Sequence, residues 1–426
     1  MSPPNDQENN IKKPEDESSE SAAEHAAEPS LIVGLVPAPG AASETIDVLY
    51  PELAELFSQE VDDEYAWDIK VVVDSLTGSA EEAAAILEEA QTLKDRRGWD
   101  YVICLTDLPL FRDEDFLVAE ANVERGIAQL SIPTLGALPI MRRVRESLLQ
   151  LTSEMHHGSS DEARDRQEEK QSSMGSSRGK YVRNTGARQL LGDSLIERIA
   201  PVYRIRPDES NDTSDTRYVA RPNINGYSRV VTGMARANNP VKVFTAFKSV
   251  IAIAFATGAY ALIFPTLWQL GAAYGPGRSI TLMVVALTSL TVWMLLAHGL
   301  LERPSTNRSR SIRRLYNSAT VLTIGFGVIC YYCILFLLFF LAVFLFIPTS
   351  MLQSNLGVGQ NVEFPYYLSL AWLAASLATC IGALGAGLEN EETVLTGTYG
   401  HRQLERKKQV QREREEERKQ EQNRER

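Results

Sequence analysis

The stretch "WDYVICLTDLPLF", Trp99 to Phe111, decides the fold of the N-terminal half of this chain. Its continuous apolar run is typical of a strand that is buried on both faces, as strands of parallel sheets are. Leu108-Pro109 then ends the run, because proline cannot donate to a sheet ladder. Asp107 stands at the end of the strand, where it is either a functional acid or the acid of a turn.

The chain upstream of this strand alternates between strand and helix patterns. "LIVGLVPA" (31–38) and "WDIKVVVDSL" (67–76) are predicted strands. Helical spacing follows each of them, at 43–61 behind Ser43 as N-cap and at 79–98 behind Ser79. The order β-α-β-α-β predicts parallel strands with right-handed crossovers.

Downstream, "FLVAEANVERGIAQLSIPTLG" (116–136) predicts two shorter strands in a hairpin around Gly126, followed by an amphipathic helix from Leu138 to about Glu154. The predicted fold class is therefore an α/β cytoplasmic domain with a mixed, mainly parallel sheet. Its boundaries are residues 31–157.

Candidate ligand-binding residues follow from this topology. Open parallel sheets bind ligands beyond the carboxyl ends of their strands, and four loops should meet there: 37–43, 74–77, 106–110 and 133–136. We predict that the polar residues of these loops form a ligand-binding site, made of Ser43, Asp74, Thr106 and Asp107.

Several chemistries lack their sequence signatures. The loop "GLVPAPGAAS" is neither a dinucleotide fingerprint nor a P-loop, since it lacks the required glycine spacing and any lysine. No H-E-x-x-H motif occurs, and His156 and His157 are predicted to be a solvated pair at a fraying helix end. We therefore predict no cofactor, no metal and no assigned catalytic residue, and the sequence favours a non-enzymatic role.

Four apolar segments, each of about twenty residues or more, predict a four-helix transmembrane domain over residues 241–390, because that length crosses the hydrocarbon core of a bilayer. The predicted spans are Phe244–Trp268, Ile280–Leu301, Ala319–Ile347 and Tyr366–Leu388.

Charge sets the predicted orientation and partners. The loop from Arg303 to Arg314 carries five arginines, so it faces the cytoplasm, and both termini lie there too. The predicted location is the cell membrane, as a multi-pass protein, with the lipid bilayer and, through this loop, anionic lipid head groups as partners. The net charge of -12 leaves no uniformly basic face for nucleic acid.

The remaining segments are polar. Residues 1–30 are predicted to be a disordered acidic tail, 158–180 a disordered linker, and 391–426 a charged cytoplasmic tail. Residues 181–240 are predicted to be a membrane-proximal α+β segment that completes the cytoplasmic domain.

Four motifs carry a resemblance to a known family: "VGLVPAPG", "WDYVICLTDLPLF", "LSIPTLGAL" and "VTGMARANNP". With the four-span half they resemble uncharacterised bacterial membrane proteins that have an N-terminal cytoplasmic α/β domain. Some relatives are labelled methylene-tetrahydrofolate dehydrogenase, an enzyme family whose "QLPLP" stretch is similar to "DLPLF". The Tyr-x-x-x-Lys pair of that enzyme is absent from this chain.

Three functions follow as hypotheses. The first is a membrane protein whose cytosolic domain binds a small molecule or a protein partner and couples to the membrane part, in a regulatory, scaffolding or envelope-associated role. The second is a membrane-tethered enzyme, for example a nucleotide- or folate-dependent oxidoreductase. The third is a passive pore or transporter.

Overall fold

The computed structural model describes residues 29–74, 83–112, 115–160, 200–206, 215–238, 248–302, 310–356 and 364–386. Outside these described residues lie 1–28 of the predicted acidic tail, 161–180 of the predicted linker, residues 181–199, the helix cap Ser79, the loop residues 303–309 and the predicted C-terminal tail 391–426.

Eight strands of the described part form one sheet. They are β1 (Ser30–Pro37), β2 (Ala66–Val71), β3 (Tyr101–Thr106), β4 (Leu110–Arg112), β5 (Asp115–Asn122), β6 (Ile127–Ser131), β7 (Val202–Ile205) and β8 (Thr216–Ala220). The spatial order is β2-β1-β3-β6-β5-β8-β7, with β4 paired to β5.

The sheet is mixed, as predicted, but the expectation of a mainly parallel sheet is wrong. The parallel pairings join β1 to β2, β1 to β3 and β3 to β6, whereas the four remaining pairings in the described sheet are antiparallel. Gly126, with φ of 64°, turns the chain directly back between β5 and β6, which confirms the predicted hairpin. On the side of β5 that faces away from β6, β8 pairs antiparallel with β5, and β7 pairs antiparallel with β8.

Among the described residues, three helices cover the sheet: α1 (Ala41–Glu60), α2 (Ala83–Arg97) and α3 (Ile140–His157). Side chains of α2 pack on one face, in a cluster with Val36 and Val102, while α1 and α3 pack on the other face. Opposite faces are what right-handed crossovers from β1 to β2 and from β2 to β3 require. The predicted β-α-β-α-β order is confirmed.

The prediction of Ser43 as the N-cap of α1 is wrong by three residues. Gly40 is the N-cap, with φ of 102°, a conformation that favours glycine. Ser43 is the third helical residue, and its hydroxyl bonds back to Gly40.

A further helix, α4 (Ile224–Ala237), joins this domain to the membrane part. It packs on the 3₁₀ turn Pro133–Leu135 that follows β6: a methyl group at Gly233 would lie 2.8 Å from the Pro133 carbonyl carbon. The long helix α8 (Arg310–Phe346) also reaches the domain, because Leu315, Tyr316 and Ala319 belong to the same buried cluster as the sheet. The N-terminal turns of α8 therefore pack in the core of the α/β domain, whereas the rest of the helical part has a separate core.

The C-terminal part is helical and apolar. Its helices, besides α8, are α5 (Lys248–Ala261), α6 (Pro265–Ala273), α7 (Pro276–Ala297), α9 (Thr349–Leu356) and α10 (Phe364–Ala386). Within the described residues α7, α8 and α10 are long and apolar enough to cross a membrane, and a fourth crossing requires α5 and α6 to act together.

The prediction of one continuous span over Phe244–Trp268 is wrong. The described part of this segment is broken between α5 and α6, which meet at an angle of 94°. Pro265 is the cause, because its ring disfavours helical conformation in the residue before it and it has no N–H to donate. Pro265 instead starts α6 at the first helical position.

Candidate functional site

The described residues of the predicted loops do meet at the carboxyl edge of the parallel strands; of the loop 74–77 only Asp74 is described. The Ala38 amide donates to Leu105 O (2.8 Å), the Asp74 amide donates to Pro37 O (3.2 Å), and the Ile132 amide donates to Thr106 O (2.9 Å). These bonds join the ends of β1, β2, β3 and β6 into one edge. The structure thus brings together the segments that carry the four predicted residues.

Thr106 and Asp107 form a buried turn at this edge. The Leu108 amide donates to Thr106 Oγ1 (3.2 Å), and Ser131 Oγ donates to Leu108 O (2.7 Å). Thr106 and Asp107 are each only 1% exposed. Asp107 also has a polar interaction partner, as a buried carboxylate requires. Neither side chain is open to solvent in this conformation.

Ser43 and Asp74 lie nearer the surface. The Ser43 hydroxyl donates to Gly40 O (3.0 Å) and accepts from the Gly40 amide (3.1 Å), so it serves to cap α1. Asp74 is half-buried and close to the fully buried Cys104. Burial raises the pKa of the Cys104 thiol, and the carboxylates of Asp74 and Glu89 raise it further. Cys104 is therefore an inert core thiol rather than a nucleophile.

Sequence reasoning missed the contacts that link this edge to α4. Thr134 Oγ1 donates to Ser131 O (2.6 Å), and Arg229 Nε, on α4, donates to Thr134 O (2.9 Å). Arg229, 5% exposed, also donates to Ala200 O. We call the hydrogen-bonded series Thr106, Leu108, Ser131, Thr134 and Arg229 the edge network.

Two further bonds continue from α4 to the membrane part. The hydroxyl groups of Tyr227 and Ser318 lie 2.8 Å apart, and Asn238 Nδ2 donates to Thr323 Oγ1 (3.0 Å). Ser318 and Thr323 both belong to α8. Helix α4 is therefore hydrogen-bonded through Arg229 to the edge network and through Tyr227 and Asn238 to α8, a helix with the length and apolarity of a membrane span.

Buried ion pairs hold the antiparallel half of the sheet. Glu120 on β5 faces Arg217 on β8, with Arg217 Nε 3.4 Å from the carboxylate. Glu154 of α3 accepts from the Tyr218 hydroxyl and lies 3.6 Å from Arg204 Nε. These carboxylates are 1% and 2% exposed. Their cationic partners account for their burial, so we interpret both pairs as structural.

A second polar group lies at the opposite, amino edge of the sheet. Here Asp62, which follows α1, approaches His156 and His157 at the end of α3; we call these three residues the amino-edge cluster. His156 Nε2 lies 3.0 Å from Asp62 Oδ2, and His156 Nδ1 lies 3.1 Å from the Tyr101 hydroxyl. His157 Nε2 lies 3.0 Å from Val61 O.

Charges in the amino-edge cluster favour an ionised Asp62. Burial by itself would raise the pKa of Asp62, but the hydrogen bond from the Glu64 amide, together with the hydrogen bond and positive charge of His156, lowers the pKa below its ordinary value. For Tyr101, burial is the main cause of a raised pKa, with Asp100 and Tyr65 adding to it. Tyr101 thus remains a neutral hydrogen-bond partner.

The prediction that His156 and His157 form a solvated pair at a fraying helix end is wrong. Helix α3 continues through His157 and ends at Gly158, whose φ is 94°. The His156 side chain is 13% exposed and packs edge-on against the rings of Tyr65 and Trp67. Sequence alone gave no signal for this, since Asp62 lies 94 residues away.

No protein-family model, curated protein sequence or solved structure matches this chain.

Proposed function

We propose that the protein is a multi-pass membrane protein whose cytosolic α/β domain binds a small molecule or protein partner at its carboxyl edge and transmits that event to the membrane part through α4 and α8. The continuity of α8 is the observation that carries the proposal. Its 37 residues correspond to about 55 Å of helix, whereas a hydrocarbon core needs about 30 Å. The part of α8 that exceeds the thickness of the hydrocarbon core is its N-terminal end, which packs in the core of the α/β domain.

Contacts along α10 support four crossings. A methyl group at Gly258, in α5, would lie 3.0 Å from Ala378 Cβ, and one at Gly271, in α6, would lie 3.3 Å from Leu370 Cα. Ser369 Oγ donates to Gly271 O (2.8 Å). Helices α5 and α6 therefore run together along α10, from Ala378 to Leu370, which is more than two helical turns. The chain does not fold back after the break to the depth at which α5 begins. A broken helix that crosses the membrane accounts for this better than a re-entrant loop does.

The orientation proposed is cytoplasmic for the α/β domain and both termini, in the cell membrane. The Glu302 amide donates to Asn317 Oδ1 (2.9 Å), so the end of α7 lies beside the first turns of α8. Arg310, Arg313 and Arg314, which we call the basic end of α8, lie within two turns of Asn317. At that level they can attract anionic lipid head groups, and their charge fits the cytoplasmic side.

The ligand-facing surface proposed is the half-buried rim of the carboxyl edge. Gly40 is exposed, and Pro39, Ser43 and Asp74 are half-buried. A ligand held there would contact the same edge as the Thr106 turn, from which the edge network leads to α4. Spatial continuity alone is not coupling, so the proposal needs a direct test.

The test is hydrogen–deuterium exchange of the full chain in lipid nanodiscs, comparing wild type with Arg229→Gln. Loss of the guanidinium removes two bonds to backbone carbonyls, so we expect faster exchange both at 105–136 and in α8 at 310–323. Arg236→Gln, which changes an exposed arginine of the same helix outside both regions, is the matched control and should alter neither region. If Arg229→Gln changes exchange only within α4 itself, the edge network does not transmit and the proposed coupling is wrong.

A further inference from the structure

The geometry points to a binding site for a divalent transition metal ion, such as Zn²⁺, at the amino-edge cluster. Asp62, His156 and His157 each offer one ligand atom, and these atoms lie within 4.8 Å of one another. Two imidazoles and one carboxylate are a common ligand set for Zn²⁺ and related ions. Since this site lies at the edge opposite the proposed ligand-facing rim, it stands independently of the proposed function.

Neighbouring groups orient both imidazoles for this role. With His156 Nδ1 held by the Tyr101 hydroxyl, Nε2 is the nitrogen directed at Asp62. His157 Nε2 lies 3.0 Å from Val61 O, which holds the orientation of this second ring. Metal-binding histidines generally donate their second ring N–H to such an oxygen, which fixes the tautomer and the ring orientation.

The electrostatic environment of the amino-edge cluster favours the binding of a cation. Helices α1 and α3 both end at the cluster, and helix C-termini carry partial negative charge. Asp62 adds a full negative charge. The side chains of Asp62 and His156 are 17% and 13% exposed, so an ion can enter from solvent and yet be held away from most of the water.

The three ligand atoms lie almost close enough together to bind one ion, so the side chains need to move little. Ligands of a tetrahedral Zn²⁺ ion lie about 3.4 Å apart, given a Zn–N distance of about 2.1 Å. The Asp62 and His156 atoms already lie 3.0 Å apart, and the widest separation in the cluster is within 4.8 Å. Small side-chain rotations therefore suffice, and three protein ligands leave a coordination position for water or another donor.

The experiment is calorimetric titration of Zn²⁺ into the full chain, purified in detergent without a metal-affinity tag and treated with chelator. Wild type should bind one ion at this site. Asp62→Asn should weaken binding at least tenfold, while its amide oxygen can still accept the Glu64 N–H bond that shapes the turn. Asp63→Asn, a change of the exposed neighbour, is the matched control and should bind as wild type does.

A second variant separates a metal site from a simple His–Asp ion pair. Tyr101→Phe removes only the hydroxyl behind His156, and loss of such an outer partner typically weakens metal binding about 10–100-fold. Protection of the Cys104 thiol checks that each variant is folded. Absence of Zn²⁺ binding by wild type, or equal binding by wild type, Asp62→Asn and Tyr101→Phe, would overturn the proposal and leave the cluster as an ion pair.

Discussion

Replacing Gly233 by alanine tests the contact between α4 and the 3₁₀ turn. The added methyl group would overlap Pro133 O and lie 2.8 Å from the Pro133 carbonyl carbon, whereas ordinary contacts begin at 3.4 Å. Because the obstacle is backbone and the Pro133 oxygen lies nearer still, α4 must withdraw by more than the difference of about 0.6 Å between these two distances. That shift also stretches the Arg229 Nε–Thr134 O bond from 2.9 Å.

The expected cost follows from three terms. Overpacking costs about 1–3 kcal/mol, and weakening a bond from a charged donor adds about 1–2 kcal/mol. Alanine recovers about 1 kcal/mol of helix propensity over glycine. Together these terms predict a net loss of about 1–4 kcal/mol in the free energy of unfolding of the α/β domain.

Thiol labelling of Cys104 in increasing urea measures this quantity in the full chain, with the other cysteines, Cys330, Cys333 and Cys380, replaced by alanine. Gly325→Ala is the matched control, since a methyl group at this other helical glycine meets nothing within 4 Å in the described structure. The control protein should unfold at the same urea concentration as the wild type. A Gly233→Ala protein as stable as wild type would refute the close approach of α4 to the 3₁₀ turn.

Three other predictions concern the core thiol, the helix bundle and the basic end of α8. Because its pKa is raised by burial, the Cys104 thiol should react with iodoacetamide at pH 8 far more slowly than free cysteine until denaturant is added, and rapid labelling of the native protein would contradict its burial. Gly258→Ala places a methyl group 2.9 Å from Phe339 Cε1, so it should destabilise the helix bundle by about 1–3 kcal/mol and lower its unfolding temperature in detergent. Gly277→Ala, where the added methyl group meets nothing within 4 Å, should leave the unfolding temperature unchanged. Changing all three arginines of the basic end to glutamine should reduce anionic-lipid adducts in native mass spectrometry, each arginine contributing about 1 kcal/mol, and unchanged adducts would place the basic end away from the lipid.

Local patterns predicted most of the α/β domain. The apolar runs of β1 and β3, the helical spacing between them and Gly126 at the hairpin each act over a few residues, so they are visible in sequence. The pairing of β8 with β5 is different, because it joins segments almost 100 residues apart. That long-range pairing makes the sheet less parallel than predicted.

The sequence predicted where the site residues lie in the fold, but not how buried they are or what they contact. Topology alone brings Asp74 and Thr106 to one edge, but only the fold shows that Thr106 is buried in a turn. Arg229 and Gly233 did carry a signal, a cation and a glycine inside an amphipathic helical segment, and both lie at the contact with the 3₁₀ turn. Pro265 likewise marked the break in the first predicted span.

A double-mutant cycle between Tyr227→Phe and Ser318→Ala tests the central claim, that the α/β domain and the membrane part are energetically one unit. Each change removes only a hydroxyl from the 2.8 Å contact between α4 and α8. Measured by urea-dependent labelling of Cys104, the two changes should be non-additive by about 0.5–1.5 kcal/mol, the net worth of one hydrogen bond. If Ser318→Ala has no effect on Cys104 protection and the two changes add within about 0.3 kcal/mol, the domain is merely tethered to the membrane and the coupling account is wrong.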